Sequence, residues 1–176
     1  MENYFEMYGI PERFSPDAAI VKNKYYELSR RYHLDRYTQA SSDAMNEALR
    51  MAAMNNDAYK TLRNADATMA YILKLHSLLE DEEKYGLPPA FLMEMMDLNE
   101  AIEEYEADTA NTHTLQLASQ TLNEQLAEWT KATKTLTTRF DDGDHSTLLL
   151  QQIKDMYFRK KYLLRIQERI ATFAAH

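Results

Sequence analysis

Three glycines and four prolines are all that punctuate 176 residues, and three of these seven stand together in LEDEEKYGLPP, Leu79 to Pro89. A chain with so few residues able to turn sharply or stop a helix is confined to long elements. Ala, Leu, Met, Glu, Gln and Lys dominate elsewhere, which favours helices over turn-rich β structure. The one cluster of breakers, set beside a run of charge, marks a linker at 79–89 between two helical domains, 1–78 and 90–176. The expected fold class is all-α.

Apolar spacing supplies the helices. Ser15-Pro16-Asp17 reads as a helix start, with Ser as N-cap and Pro at the first helical position. Val21, Tyr25, Leu28 and Tyr32 then follow at spacings of four, three and four, forming one buried stripe. Lys22, Tyr26 and Arg30 repeat on another side, so the basic residues point outward. A second helix starts at Ser41-Ser42-Asp43 and carries Met45, Ala48, Ala52, Tyr59 and Leu62. A short helix from Ala67 to His76 and an aromatic segment, Tyr4 to Tyr8, complete the first domain around this helical hairpin. Beyond the linker, three amphipathic patterns (90–107, 112–140 and one following the turn 141–144) bury their stripes best as an antiparallel three-helix bundle.

Several function classes are excluded or disfavoured by content. Cysteine is absent, which removes disulfides, thiolate metal sites and Cys nucleophiles. No apolar run approaches the roughly 18 residues of a membrane span, and MENYFEMYG lacks the marks of a signal peptide, so a soluble cytoplasmic protein is expected. The five histidines (His33, His76, His113, His145, His176) are scattered, with no HExxH pair. Asp141-Asp142-Gly143-Asp144 has the acids of a Ca²⁺ loop in the wrong register and reads as a solvated turn. No phosphate loop or nucleophile elbow appears. The chain is therefore expected to be no enzyme and to carry no metal or cofactor.

Charge is what the sequence distributes unevenly. The net charge of −8 disfavours a general nucleic-acid binder. Yet between Lys22 and Arg36 five basic residues face two acids, and between Phe91 and Glu106 six acids face no base. In the second segment Phe91, Met95, Leu98, Ile102 and Tyr105 already form a complete core stripe, leaving Leu92, Met93 and Met96 over. Phe158 likewise falls outside the stripe of the last helix. Surplus apolar residues beside an acidic face suggest a docking patch, and Met suits adaptable contact.

These residues resemble a known family. A basic helix, the loop His33-Leu34-Asp35 and a helix ending NDAYKTL look like a J-domain. The whole chain resembles the HscB family, J-type co-chaperones of iron–sulfur cluster assembly. YFEMYGIP, YYELSRRYHLDRY, NNDAYKTLRN, AFLMEMMDLNEAIEEYE and MYFRKKYLLRI carry the likeness across both domains. The resemblance implies that Lys22, Lys24, Arg30, Arg31, His33, Asp35 and Arg36 dock on a DnaK/HscA-class chaperone and stimulate its ATPase. It also implies that Leu92, Met93, Met96 and Phe158, rimmed by Asp97, Glu100 and Glu104, bind an IscU-type cluster scaffold as client. Leu34 departs from the family's His-Pro-Asp. Proline would fix the loop, so the alternative is an adaptor that binds its client but stimulates the chaperone weakly or not at all.

Overall fold

The computed structural model describes residues 2–174, leaving His176 outside the described residues. These residues form seven α-helices and one 3-10 turn, with no strand among them. The helices are α1 Tyr4–Tyr8, α2 Ala18–Arg31, α3 Ser42–Leu62, α4 Ala65–Leu75, α5 Pro89–Ala107, α6 Thr112–Asp141 and α7 Thr147–Ala174, and the 3-10 turn is Leu34–Tyr37. They fall into two compact units: the residues up to 77 together with 140–143, and residues 78–139 together with those from 144 onward. None of the described helices is long and apolar enough to cross a membrane.

The first unit is built on the α2–α3 hairpin. Val21 and Leu28 of α2 meet Ala48, Ala58 and Leu62 of α3 in its core, and Tyr25 stacks on Tyr59 with centroids 4.2 Å apart. A polar hub sits inside this apolar packing. Asn55 is buried, accepts the Tyr8 hydroxyl at 2.8 Å, and donates its amide to the Tyr25 carbonyl (3.0 Å) and the Ser29 hydroxyl (3.2 Å). One side chain thereby ties α1, α2 and α3 in register. Helix α1 is held at its start by a capping box between Asn3 and Glu6, and it ends at Gly9, whose φ of 62° is left-handed.

Two helix starts differ from the expectation, that of α2 and that of α4, which begins at Ala65 rather than Ala67 because Asn64 caps it. Helix α2 is capped by Asp17, whose carboxylate accepts from the amides of Ala19 and Ile20. Ser15 is not the cap; its amide donates to Asp141 at 3.1 Å, beside the Phe14 amide at 2.7 Å. Pro16 thus precedes the helix. Ser41 and Asn64 cap α3 and α4. Leu75 is the last residue of α4 and is exposed.

In the second unit the side-chain pairs fix the direction of the helices. Phe91 lies against Tyr162 near the start of α5, and Glu106 pairs with Arg169 near its end, so α5 and α7 run parallel. Helix α6 returns between them. Trp129 on α6 donates its indole N–H to the Met156 carbonyl of α7 at 2.6 Å, under the Lys160 ammonium. Phe91, Met95, Leu98 and Ile102 of α5 join Ala118, Leu122, Leu149, Ile153 and Leu163 in the core. The Leu79–Pro89 segment is not a free tether. Leu79 is buried, Glu83 pairs with Lys154 at 2.7 Å, and Tyr85 lies flat on Phe158 while donating its hydroxyl to Asp155 at 2.9 Å. Residues 78–88 are packed along α7.

Candidate docking surfaces

The first surface is the outer side of α2 and the turn behind it. Because Val21 and Leu28 face α3, Lys22 and Arg30 are exposed, and so are Tyr26 and Ile20 beside them. The sequence reading found Tyr26 on this side but not Ile20, which has no repeat partner to reveal it. Lys24 and Arg31 share one carboxylate, Glu27, at 3.4 and 3.6 Å. Exposed pairs of this kind are worth about 0–1 kcal/mol, so both cations stay available to another acid.

At the C-terminal end of α2 the chain enters the 3-10 turn, which packs on α3. His33 caps the turn: its Nδ1 accepts the Asp35 amide at 3.3 Å and lies 3.5 Å from the Asp35 carboxylate. The Asp35 side chain is 89% exposed and Leu34 is 43% exposed. Tyr37 folds back to donate its hydroxyl to the Arg31 carbonyl at 3.2 Å, closing the end of α2. Leu34 takes the first position of the turn. The backbone at His33 (φ −65°, ψ 130°) is the extended conformation that a following proline requires. The loop therefore has a proline's shape without the proline.

The second surface is on α5. Its core stripe faces inward, and the opposite side carries Leu92, Met93 and Met96, exposed by 41, 68 and 54%. Leu92, Met96 and Glu100 follow at four-residue spacing, with Met93, Asp97 and Glu104 in the adjoining row, so apolar residues give way to acids along one face. All three acids are exposed, and no basic residue occupies the last turn of α5. Acids at a helix C-terminus oppose the helix dipole. Glu106 is relieved by Arg169 at 2.8 Å, whereas Asp97, Glu100 and Glu104 face solvent.

Phe158 is not part of this exposed face. It is 6% exposed, covered by Tyr85 at 4.5 Å and flanked by Tyr157. The stripe on α7 omits Phe158 because its partner comes from outside the three helices, from residue 85, which no helical periodicity reveals. The Asp141–Asp144 turn is likewise spoken for. Asp141 accepts two backbone amides, and Asp144 caps Ser146 and pairs with Arg139 at 2.9 Å. Among the described residues no cluster of His, Asp and Glu is placed to hold a metal ion.

Known proteins match the chain over both units. Residues 87–171 fit the family model described as the HSCB C-terminal oligomerisation domain. The co-chaperone protein HscB homolog of Vibrio vulnificus is 37% identical over 103 residues, covering 58% of this chain and 60% of the relative. That of Vibrio cholerae is 36% identical over 102 residues, with 57% and 60% covered. The chain thus spans about 60% of the length of the curated relatives it matches. Among solved structures, human co-chaperone protein HscB superposes with a TM-score of 0.72 at 25% identity, over 98% of this chain and 82% of that one. Chaperone HscB from Vibrio cholerae gives 0.67 at 23% identity, over 97% and 96%, a likeness of fold.

Proposed function

We propose, for a chain whose residues 87–171 fit the HSCB C-terminal family model and which takes the fold of solved HscB structures, the role of a two-ended co-chaperone. Its α5 face binds an IscU-type iron–sulfur scaffold. Its α2 side and His33-Leu34-Asp35 turn engage a DnaK/HscA-class chaperone and stimulate ATP hydrolysis there. The protein contributes surfaces and no reacting groups, so it is not an enzyme and needs no cofactor, and its place of work is the cytoplasm. The observation that carries this reading is the exposed apolar row of Leu92, Met93 and Met96 running into uncompensated acids on a helix whose other side is fully buried. A basic and partly apolar client surface fits that row. On the other unit, Lys22, Lys24, Arg30, Arg31 and Arg36 present positive charge that steers an acidic partner and sets its register. Asp35, almost fully exposed, is free to accept hydrogen bonds from it.

A second reading is favoured by Leu34. The turn has the right shape, but without proline it is less strongly held, and the chain then binds its client while stimulating the chaperone only weakly. One measurement tests the client face that both readings share, and a second separates them. Leu92→Ala with Met96→Ala should weaken scaffold binding by calorimetry, and unchanged affinity would remove α5 from the interface. Single-turnover ATPase rates with the wild type and Asp35→Asn should differ if the turn is active; identical rates leave only the adaptor.

A further inference from the structure

With no cysteine in the chain, its ten methionines are the sulfur open to oxidation. They are not equally open. Among the described residues Met93 and Met96 alone are exposed, while Met95 between them is 1% exposed and Met69 is buried; the remaining described methionines are partly covered. We propose that Met93 and Met96 are an oxidation-sensitive modification site, at which a peroxide-class oxidant converts both thioethers to sulfoxides and weakens docking on α5. The consequence for docking rests on the scaffold-binding reading above; the chemistry does not.

The step balances simply. A lone pair on the methionine sulfur attacks the terminal peroxide oxygen, the O–O bond breaks, and the departing hydroxide takes a proton and leaves as water. Sulfur loses two electrons and the peroxide gains them. The product replaces a flexible apolar tip with a strong, polar acceptor. Its surroundings cannot satisfy that acceptor. Leu92 offers nothing, and Asp97, Glu100 and Glu104 are themselves only acceptors when ionised. In an apolar contact the sulfoxide oxygen is left without a donor, and it stands beside negative charge. A methionine sulfoxide reductase, drawing electrons from thiols, reverses the change.

The test treats the full chain with graded hydrogen peroxide and maps the added oxygen by peptide mass spectrometry. Met93 and Met96 should gain oxygen first, with Met95 and Met69 unmodified and the melting temperature unchanged. Affinity for the scaffold should then fall by about tenfold or more, as expected for one unsatisfied polar group in an apolar contact. In the variant carrying Met93→Leu and Met96→Leu, whatever its starting affinity, treatment should bring no further fall, and reductase should restore the wild type. Oxidation of Met95 as fast as Met93 would overturn the site. Full oxidation at both positions with unchanged affinity would overturn the switch. If the untreated chain binds no scaffold, the docking reading falls and the switch with it, while the peptide map still decides the site.

Discussion

Leu34 occupies a position that a proline could take without moving its neighbours. The first amide of a helical turn has no intrahelical partner, so proline removes nothing there. His33 already has the extended backbone that proline imposes on its predecessor. Leu34→Pro should therefore stabilise the protein by about 0.4–1 kcal/mol, acting through the unfolded chain. Urea unfolding checks this, and single-turnover ATPase measurements with the same variant should show stronger stimulation of the chaperone. A loss of stability would mean that the turn is not as proline-ready as its dihedrals indicate. At this scale the sequence is a partial guide. The exposed charges of α2 follow from helical phase alone. Asn55 does not: a polar residue in mid-helix announces neither burial nor its three hydrogen-bonding partners, Tyr8, Tyr25 and Ser29, which lie 26 to 47 residues away. Tyr8→Phe should cost about 1–3 kcal/mol, because Asn55 loses a buried partner.

Helices α5 and α7 separate what is surface from what is core. Leu92→Ala and Met96→Ala should leave the melting temperature nearly unchanged, since both side chains are exposed. Phe158→Ala should instead cost about 3–5 kcal/mol, the usual loss for a buried aromatic. A drop in scaffold affinity in that variant would reflect damage to the bundle rather than a lost contact. The difference lies in Tyr85. Burial, and then its hydrogen bond to Asp155, raises the Tyr85 phenol from the ordinary value of 10.0 to about 12. The folded protein thus holds this proton more tightly than the unfolded chain. Its contribution to stability is complete below pH 10 and declines as pH rises from 10 towards 12. Tyr85→Phe should remove that part of the alkaline loss, measured as unfolding midpoints across this range. Helix starts and stripes were legible because they depend on neighbours three or four residues away. The packed course of residues 78–88 was not, since Gly86, Pro88 and Pro89 announce a break in helix and nothing about what the broken segment rests on.

For the molecule as a whole, the basic face and the apolar–acidic face belong to different units. Net charge is −8, yet the α2 side is basic, and the α5 row joins apolar residues to acids. Exposed charges lose their reach as salt shortens the screening length to about 8 Å at physiological ionic strength. Association with an acidic chaperone surface should accordingly slow as salt is raised. The contribution of Leu92, Met93 and Met96 to scaffold binding should persist. Stopped-flow rates for the two partners over a salt series test this, and equal salt dependence would argue against the division. What the sequence could not reveal at this scale is that residues 140–143, at the end of a helix of the second unit, are built into the first. The amides of Phe14 and Ser15 meeting Asp141, and the Phe14 and His76 rings against Phe140, disclose it.

Trp129 carries a practical consequence. It is the sole tryptophan, it meets the Met156 carbonyl and the Lys160 ammonium, and all three belong to the second unit. Indole fluorescence therefore reports the melting of one unit only, while the far-ultraviolet signal sums the helices of both. In a single denaturation experiment on the native chain, superimposable curves would mean that the two units unfold as one cooperative body. Curves that part would time-stamp the loss of the α5–α7 unit separately from the α2–α3 unit, with no label added.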